Sequence, residues 1–366
     1  MAEGHGHAAT VRIMVEQQLR AGPVFVHSSF RTSSTWLWTR FRASPDAVAF
    51  FEFFHEVFAH PGTTKLRDIS YDSWNSGHPA AAPYNLEYAP LLEETGCVSG
   101  FAPDMAFDLF MPAAPDRSIT PAEAAYVSGL IDLARRLGRV PVLTCVRTLG
   151  RVHGLRRQFG GTHILWYRNL FRQWCSYSAQ AIAGNPYFFD RTNEILAAGR
   201  HDRFVDALLD ILPLDVGGTA PESTENFQRF ILFHLYLYTL ALPDCDLVAS
   251  VDDLAADPQS RDAFAATVAA ATGIVLDLGS LATSIGFQSM PLAKRGDVVE
   301  GVRIIANTLP LYIAEWSERQ AGFVTRLIDE MAAEMDRYAF YTERLTRHAV
   351  GGWPGRGGGV LNENLS

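Results

Sequence analysis

The chain has 366 residues, of which 48% are hydrophobic and 19% charged, so it can bury a large core and lacks the composition of a disordered protein. Its formal net charge of −9 argues against broad nonspecific binding to nucleic acid, and no nucleic-acid partner is expected. Its four cysteines are widely spaced without a Cys-x-x-Cys pair, which is typical of free thiols in a reducing compartment.

Targeting signals are not evident in the sequence. The first residues lack a charged segment followed by an apolar one, so no secretory signal is expected. The longest nearly apolar run, 227–242, is interrupted by Gln228, Arg229 and His234 and is not expected to span a membrane. We therefore predict a cytoplasmic protein.

Alternating strands and helices predict an α/β fold with a mainly parallel central sheet flanked by helices. Short apolar runs predict strands at Pro23–Val26, Ala47–Phe54, Pro141–Val146, His163–Tyr167 and Leu247–Val251. Helical periodicity predicts helices near 9–20, 34–43, 121–138, 151–159, 170–183, 259–272 and 303–345, and a largely helical stretch at 190–242.

The expected organisation follows from these elements. An N-terminal helix (1–22) precedes an α/β domain (23–300), which is followed by C-terminal helices (301–350) and a Gly-rich, disordered tail (351–366). Residues 60–120 and 184–240 are expected to form a helical and loop cap over one edge of the sheet.

The segment Phe30–Leu37 lies between the first strand and a helix, where unpaired N–H groups and the helix dipole favour an anion. Its hydroxyl residues Ser33, Ser34 and Thr35 add side-chain donors, and the Arg31 guanidinium suits phosphate or sulfate oxygens. The segment therefore predicts a P-loop-like phosphate cradle. No Gly-x-x-x-x-Gly-Lys-Ser/Thr pattern occurs in the chain, which disfavours a standard nucleoside-triphosphate loop.

Further charged segments follow later strands or lie in loops. Arg168 closes a strand, at the edge where open α/β sheets bind ligands, and Ser176 follows eight positions later on a helix. The stretch Val251–Pro258 carries aspartates at the end of another strand, where they are expected to orient local backbone. Lys294-Arg295-Gly296 forms a basic cluster in a predicted loop that could close over a phosphate.

Together these segments resemble the sulfotransferases that use 3′-phosphoadenosine-5′-phosphosulfate (PAPS). The family's Lys/Arg-x-Gly-Ser/Thr-Thr-x-Leu motif is similar to Arg31–Leu37, and its 3′-phosphate Arg with a Ser eight residues on matches Arg168 and Ser176. Its basic-Gly loop is similar to Lys294–Gly296.

Two more segments extend the resemblance over roughly residues 20–300. The family's Tyr-Glu-Asp-Leu…Asp-Pro stretch is similar to Val251–Pro258, and the Phe-Glu-Pro-x-His segment of Golgi-type and many bacterial members to Phe51–His55. Three departures stand out: Ser33 replaces the family glycine, Asn169-Leu170 replaces Asp-Pro, and Phe53 replaces a proline. The serine bears on the geometry of the cradle loop.

The resemblance implies that PAPS is the co-substrate and that no metal is required. The implied donor-binding residues are Arg31, Thr32, Ser33, Ser34, Thr35 and Trp36 at the 5′-phosphosulfate and adenine, and Arg168, Ser176, Lys294, Arg295 and Gly296 near the 3′-phosphate. Arg31 would also be catalytic, because its charge would neutralise the leaving group.

An acceptor hydroxyl must lose its proton as it attacks, so a general base is needed. Glu52 lies in an aromatic run that should raise its pKa by desolvation, and it is preferred over His55. The acceptor is expected to be a small hydroxylated molecule such as a carbohydrate, with Tyr71, Trp74, Tyr84 and Tyr88 as candidate stacking residues.

Other interpretations of these residues remain open at this stage. Arg31 and Lys294-Arg295 could be solvated loop residues, Arg168 a structural ion-pair residue, and Trp36 a core aromatic. The chain could also be a metal-dependent nucleotide or small-molecule kinase with a diverged phosphate loop, or a noncatalytic nucleotide-binding protein.

Overall fold

A computed structural model describes residues 22–59, 84–214 and 220–350, with side chains described to residue 344. The predicted N-terminal helix, the predicted disordered tail and the candidate acceptor residues Tyr71 and Trp74 lie outside the described residues.

The described residues form a five-stranded, all-parallel sheet in the order β2-β3-β1-β4-β5, which confirms the predicted fold class. The strands are β1 (Val24–His27), β2 (Ala47–Phe51), β3 (Val140–Cys145), β4 (Thr162–Tyr167) and β5 (Leu247–Ser250). The chain leaves β1 toward β2 on one side and later enters β4 on the other side. The strand order therefore reverses at β1, the position where open α/β sheets bind ligands at their carboxyl edge.

Helices cover both faces of the sheet, as a buried parallel sheet requires. Along the chain they are α1 (Ser34–Arg42), α2 (Pro121–Arg136), α3 (Val152–Phe159), α4 (Leu170–Ile182), α5 (Tyr187–Ala198), α6 (Arg203–Ile211), α7 (Thr224–Ala241), α8 (Val251–Ala256), α9 (Pro258–Thr272), α10 (Arg295–Ala306) and α11 (Glu318–Val350). Short 3-10 helices include Glu56–Ala59 and Leu86–Leu91.

Successive residues of a strand point to opposite faces of the sheet, so they pack into different hydrophobic clusters. On one face Val24 and Val26 of β1 pack with α1, α8 and α9, while Phe25 packs with α2 and α3 on the other. Leu165 and Tyr167 of β4 belong to a larger cluster formed by α4 to α7, α10 and α11. This cluster packs helices α4 and α5 together with β4, next to the carboxyl edge of the sheet.

Local signals in the sequence fix several helix ends. Helix α2 starts with Pro121 at its first position and with a capping box, in which Thr120 and Glu123 each accept from the other's backbone N–H. Helix α4 is capped by Asn169, whose side chain accepts from two backbone N–H groups of its first turn. The Asn169 cap fixes the start of α4, the helix that carries Ser176.

The structure differs from the sequence prediction at two functional segments. Strand β2 ends at Phe51 and not at Phe54, because Glu52 adopts a left-handed backbone conformation (φ 51°) that turns the chain out of the sheet. The segment predicted as a basic loop begins a helix, since α10 starts at Arg295. Helix α10 also crosses residue 300, the expected boundary, and packs with α11 into the core that contains β4.

Candidate functional site

The carboxyl edge of the sheet carries a cavity of about 370 Å³. Residues within four positions of the ends of four strands meet there: Arg31 after β1, Glu52 after β2, Arg147 after β3 and Arg168 after β4. Other lining residues are Phe30, Ser33, Ser34, Thr35, Trp36, Thr39, Arg40, Phe51, His55, Tyr84, Asn85, Val146, Ser176, Tyr187, Phe188, Ala282, Thr283 and Ser284. The cavity therefore brings together most of the residues predicted from sequence.

The loop after β1 is held by hydrogen bonds to its carbonyl groups. Each carbonyl oxygen from Ser29 to Ser33 accepts a bond, and the donors in order are the Thr32 hydroxyl (2.8 Å), the Gln173 amide (2.8 Å), the Arg168 guanidinium (3.2 Å), the Trp166 indole (2.8 Å) and the Leu37 backbone (3.2 Å). These donors come from the loop itself, α1, β4 and α4. The loop is thus fixed with its carbonyls directed into the protein.

The N–H groups of the same segment have no such partners. Among the described residues, none accepts a hydrogen bond from the backbone N–H groups of residues 33–36. Arg31 (φ 63°) and Ser33 (φ 61°) are both left-handed, with Thr32 between them, an alternation that turns successive N–H groups toward a common centre. The first N–H groups of a helix have no acceptor within it, and residues 33–36 line the cavity, so this arrangement fits an anion at the start of α1.

Ser33 occupies a position that favours glycine. Its left-handed conformation costs a residue with a side chain about 1 kcal/mol, and the family motif has glycine at this place. The substitution that distinguishes this chain from the motif thus keeps the backbone shape that glycine would adopt. The Ser33 side chain also lines the cavity.

The half-buried Arg31, the buried Arg168 and Ser176 form a cationic centre beside the cradle. The Arg31 Nε donates to the Ser176 hydroxyl (2.9 Å), and its guanidinium lies 5.0 Å from the centre of the Phe188 ring. Arg168 donates to the backbone carbonyls of Arg31 and Ser284. The structure therefore places Arg31 against Ser176, which the resemblance assigned to the opposite end of the donor.

The charge at this centre is incompletely compensated. Burial lowers the pKa of Arg31, and the neighbouring Arg168 lowers it further. Burial also lowers the pKa of Arg168, whose closest carboxylate, Asp252, lies 3.9 Å away, and the Arg168 Nε has no hydrogen-bond acceptor among the described residues. A bound anion would offset both the burial and the mutual repulsion of the two guanidinium groups.

Glu52 lies at a different wall of the cavity and is almost fully buried. Its Oε1 accepts from the backbone N–H of Val146 (3.2 Å), and its Oε2 lies 2.5 Å from Nη1 of Arg147. Burial raises the pKa of Glu52 to about 7, against the opposing effect of Arg147. A carboxylate with this pKa can accept a proton near neutral pH.

His55, the competing base, also lines the cavity, but its Nδ1 faces other groups. This nitrogen accepts from the backbone N–H of Val57 (3.1 Å) and lies 3.1 Å from the Glu56 carboxylate. The structure thus brings both base candidates to the cavity and gives Glu52 the more buried position.

Arg147 is a site residue that the sequence analysis missed. It is fully buried, and its Nη2 donates to Glu56 (2.8 Å) and to the Tyr187 hydroxyl (3.0 Å) while Nη1 contacts Glu52. The signal that identified Arg168, an arginine at the carboxyl end of a buried strand, is also present after β3. The stretch Ala282–Ser284 also lines the cavity and was missed, because its residue types do not indicate a functional site.

Several predicted residues lie elsewhere. Thr32 is buried behind the loop, where its hydroxyl donates to the carbonyl of Ser29. Its side chain therefore does not line the cavity. Of the described residues that line the cavity, none belongs to 294–296: Arg295 starts α10 and pairs with Asp336 of α11 (2.6 Å). The prediction of a loop at 294–296 is therefore wrong, and the contact of these residues with a phosphate stays a prediction.

The aromatic residues divide into two groups. Trp36 lines the cavity, with the Arg40 guanidinium 5.4 Å from the centre of its ring, and Tyr84 lines it while stacking on Trp38 (5.4 Å). Tyr88 is instead a core residue whose hydroxyl donates to the carbonyl of Phe51 (3.0 Å). Of these three aromatic candidates, Trp36 and Tyr84 are placed to contact a ligand, and Tyr88 is not.

Comparisons with known proteins do not assign this site. No protein-family model matches the chain, and neither the curated proteins nor the solved structures contain a match. Across the described ranges, no group of three or more His, Cys, Asp or Glu side chains is arranged to hold a metal ion. In the same part of the chain, no helix is both long and apolar enough to cross a membrane.

Proposed function

We propose that this protein is a sulfotransferase that transfers a sulfuryl group from PAPS to the hydroxyl of a small-molecule acceptor. The proposal is based on a cavity that has two separate places for anions, the N-terminus of α1 and the Arg31–Arg168 centre, and Glu52 at another wall. The motif order in the sequence supports the same donor. The free state of all four cysteines is consistent with the proposed cytoplasmic location.

Two anion sites fit a donor that carries phosphate at both ends of a nucleoside. The free N–H groups at the start of α1 would bind the 5′-phosphosulfate, and Arg168 with Ser176 would bind the 3′-phosphate. Trp36, at the cavity wall near the start of α1, would stack on the adenine. The carbonyl bonds that hold the loop preorganise these donors, so little reorganisation would accompany binding.

PAPS supplies a sulfuryl group whose sulfur forms a bond to the acceptor oxygen while its bond to the 5′-phosphate oxygen breaks. The residues of the protein would stabilise the developing negative charge and accept one proton. The α1 N-terminus would stabilise the charge that builds on the phosphate, and Glu52 would accept the acceptor's proton. Arg31, bonded to Ser176, would act chiefly in binding the donor.

The acceptor is proposed to be a hydroxylated ring compound such as a carbohydrate. Near Glu52 the cavity is lined by Phe51, Tyr84 and Tyr187, whose apolar ring faces suit a ring, and the hydroxyls of the two tyrosines suit its polar rim. The cavity's modest size, about 370 Å³, supports a small acceptor over a polymer fully enclosed with the donor.

The deciding experiment compares thermal stabilisation by 3′,5′-adenosine bisphosphate and by ATP, each with and without EDTA. We expect the bisphosphate to raise the melting temperature in EDTA and Arg168→Ala to abolish the effect. Stabilisation by ATP alone, and only with a divalent metal, would favour a kinase instead. Bisphosphate binding without product from PAPS and a panel of sugar and phenol acceptors would favour a noncatalytic nucleotide-binding protein.

A further inference from the structure

The Arg147 guanidinium is shared between two carboxylates. Its Nη1 lies 2.5 Å from Oε2 of Glu52, and its Nη2 lies 2.8 Å from Oε2 of Glu56. Glu52 follows β2, Glu56 begins the next 3-10 helix, and Arg147 follows β3. A single positive charge therefore faces two negative charges when both carboxylates are ionised.

Glu56 accepts a hydrogen bond that Glu52 lacks, from the Tyr187 hydroxyl to its Oε1 (2.8 Å). Nδ1 of His55, which itself accepts from the Val57 N–H, lies 3.1 Å from Oε2 of Glu56. The Glu56 side chain is one-quarter exposed, so water also reaches it, whereas only 8% of the Glu52 side chain is exposed. Glu56 is consequently the carboxylate better able to keep its charge.

We propose that Glu56 is a positioning residue for Glu52: by competing for the Arg147 guanidinium, it leaves Glu52 held in place but free to exchange a proton. In this arrangement Arg147 and the Val146 N–H fix the orientation of the Glu52 carboxylate toward the cavity. Glu56 prevents that contact from becoming a fully compensated ion pair. The catalytic use of this device rests on the proposed function, but the competition itself does not.

The titration behaviour agrees with this geometry. Despite the opposing effect of burial, Arg147 and His55 lower the pKa of Glu56 to about 2, so it is ionised at neutral pH. Burial raises the pKa of Glu52, and the charge of Glu56 raises it further. Although burial opposes it, the carboxylates and Tyr187 raise the pKa of Arg147, and Glu56 contributes more than Glu52.

The other groups facing Glu52 do not supply a competing charge. Cys145, at the end of β3, has its Sγ 3.8 Å from Oε2 of Glu52, and burial raises its pKa to about 12. Tyr88, on the 3-10 helix Leu86–Leu91, is held neutral because burial raises its pKa well above the usual range. Tyr187 of α5 is likewise kept neutral by burial.

The test follows the Glu52 carboxyl directly by infrared spectroscopy on the full chain. The protonated-carboxyl band that disappears in Glu52→Gln is assigned to Glu52 and titrated from pH 4 to 9. We expect Glu56→Gln to lower its midpoint by about one pH unit, because a nearby negative charge is lost and Arg147 pairs with Glu52 alone. Glu56→Asp keeps the negative charge, so the Glu52 midpoint should stay close to that of the wild type.

Glu300→Gln, an exposed substitution on α10, is the matched control and should leave the midpoint unchanged. Glu56→Ala serves as a second neutral variant if Glu56→Gln does not fold. An unchanged or raised midpoint in the folded neutral variant would overturn the proposal. Failure of the bisphosphate to bind would overturn the proposed function but leave this titration readable, so the two failures are distinguishable.

If turnover is measured, its acid limb should move with the infrared midpoint while bisphosphate affinity stays the same. A loss of turnover at all pH values, with no movement of the limb, would indicate that Glu56 has only a structural role.

Discussion

The two halves of the cavity handle charge in opposite ways. Around the β1 loop, N–H groups and the Nε of Arg168 have no acceptor among the described residues, so the protein leaves positive potential available. Around Glu52, every charged group has an oppositely charged neighbour within about 3 Å, as the distances of Arg147 to Glu52 and Glu56 show. The first half carries excess positive charge that an anion would offset, whereas the second sets two carboxylates against the single positive charge of Arg147.

This difference indicates different tasks. An incomplete set of donors gains its binding energy only when a charged ligand arrives, so it suits recognition of a phosphorylated molecule. A guanidinium shared by two carboxylates can hold one of them near its titration point, so the second half suits proton transfer. Substitutions should therefore separate the two halves, with binding affected in one and turnover in the other.

The largest effect should come from the proton-transfer half. Glu52→Gln is expected to lower turnover from PAPS by about 10²- to 10⁴-fold, because the acceptor's proton then has no base. Affinity for 3′,5′-adenosine bisphosphate, measured by calorimetry, should stay the same. His55→Ala should retain most turnover; the reverse result, with His55→Ala inactive and Glu52→Gln active, would transfer the base role to His55.

In the anion-binding half, Arg168→Ala should weaken bisphosphate binding by about 100-fold, the loss expected for charge-assisted hydrogen bonds worth about 3 kcal/mol. Calorimetry measures this change. Arg303→Ala removes an equally charged residue whose partner, Asp329, lies on α11, and should leave affinity unchanged. Equal affinities for wild type and Arg168→Ala would contradict the assignment of this half.

Acid should destabilise the anion-binding half because it rests on neutral histidines. His27 Nε2 donates to His163 Nδ1 (2.9 Å) beneath the loop, and His234 Nε2 accepts from the Ser29 hydroxyl (2.8 Å). Burial lowers the pKa of both His163 and His234 to about 4, below their usual 6.5. The unfolded chain therefore takes up protons that the folded chain does not, and stability present above pH 6.5 is lost as the pH falls toward 4.

Each of these histidines should account for about 2 kcal/mol of unfolding free energy lost between pH 7 and pH 5. Urea denaturation at the two pH values measures the loss. His234→Gln should make this pH-dependent loss smaller by about 2 kcal/mol. His153→Gln, at an exposed position, should leave the loss unchanged. A loss that is the same in His234→Gln as in wild type would show that this histidine is not held neutral.

The smallest effect concerns the loop backbone. Ser33→Gly should raise the free energy of unfolding by about 1 kcal/mol, since glycine adopts φ 61° without steric cost. Ser260→Gly, on helix α9, should instead lower it by about 0.5 to 1 kcal/mol. Urea denaturation distinguishes the two signs, and destabilisation by Ser33→Gly would mean that the serine side chain contributes more than its backbone costs.

The sequence predicted what depends on local pattern. The parallel α/β arrangement followed from apolar runs between helical segments, and the cradle from a polar turn between β1 and α1. Arg168 and Ser176 reach the cavity because a strand end and the first turns of the next helix are close in any such fold. These features are set by residues near one another in the chain.

What could not be predicted depends on partners far along the chain. Arg295 is drawn away from the cavity by Asp336, 41 positions later, and a short basic run gives no hint of that pairing. The burial of Thr32 depends on the β4 indole of Trp166 holding its carbonyl. The turn at Glu52 depends on a backbone conformation that glutamate rarely adopts, and its pairing with Arg147 spans 95 positions.

The carbonyl bonds of the β1 loop have a further consequence for hydrogen exchange. Exchange rates follow the protection of each N–H group, whereas order follows the restraint of the whole backbone. The segment 33–36 follows directly on carbonyls held by buried donors, and its amides have no intramolecular acceptor among the described residues. Its amides should exchange as fast as those of a flexible loop although the backbone is rigid, and a bound anion should slow them without changing the fold.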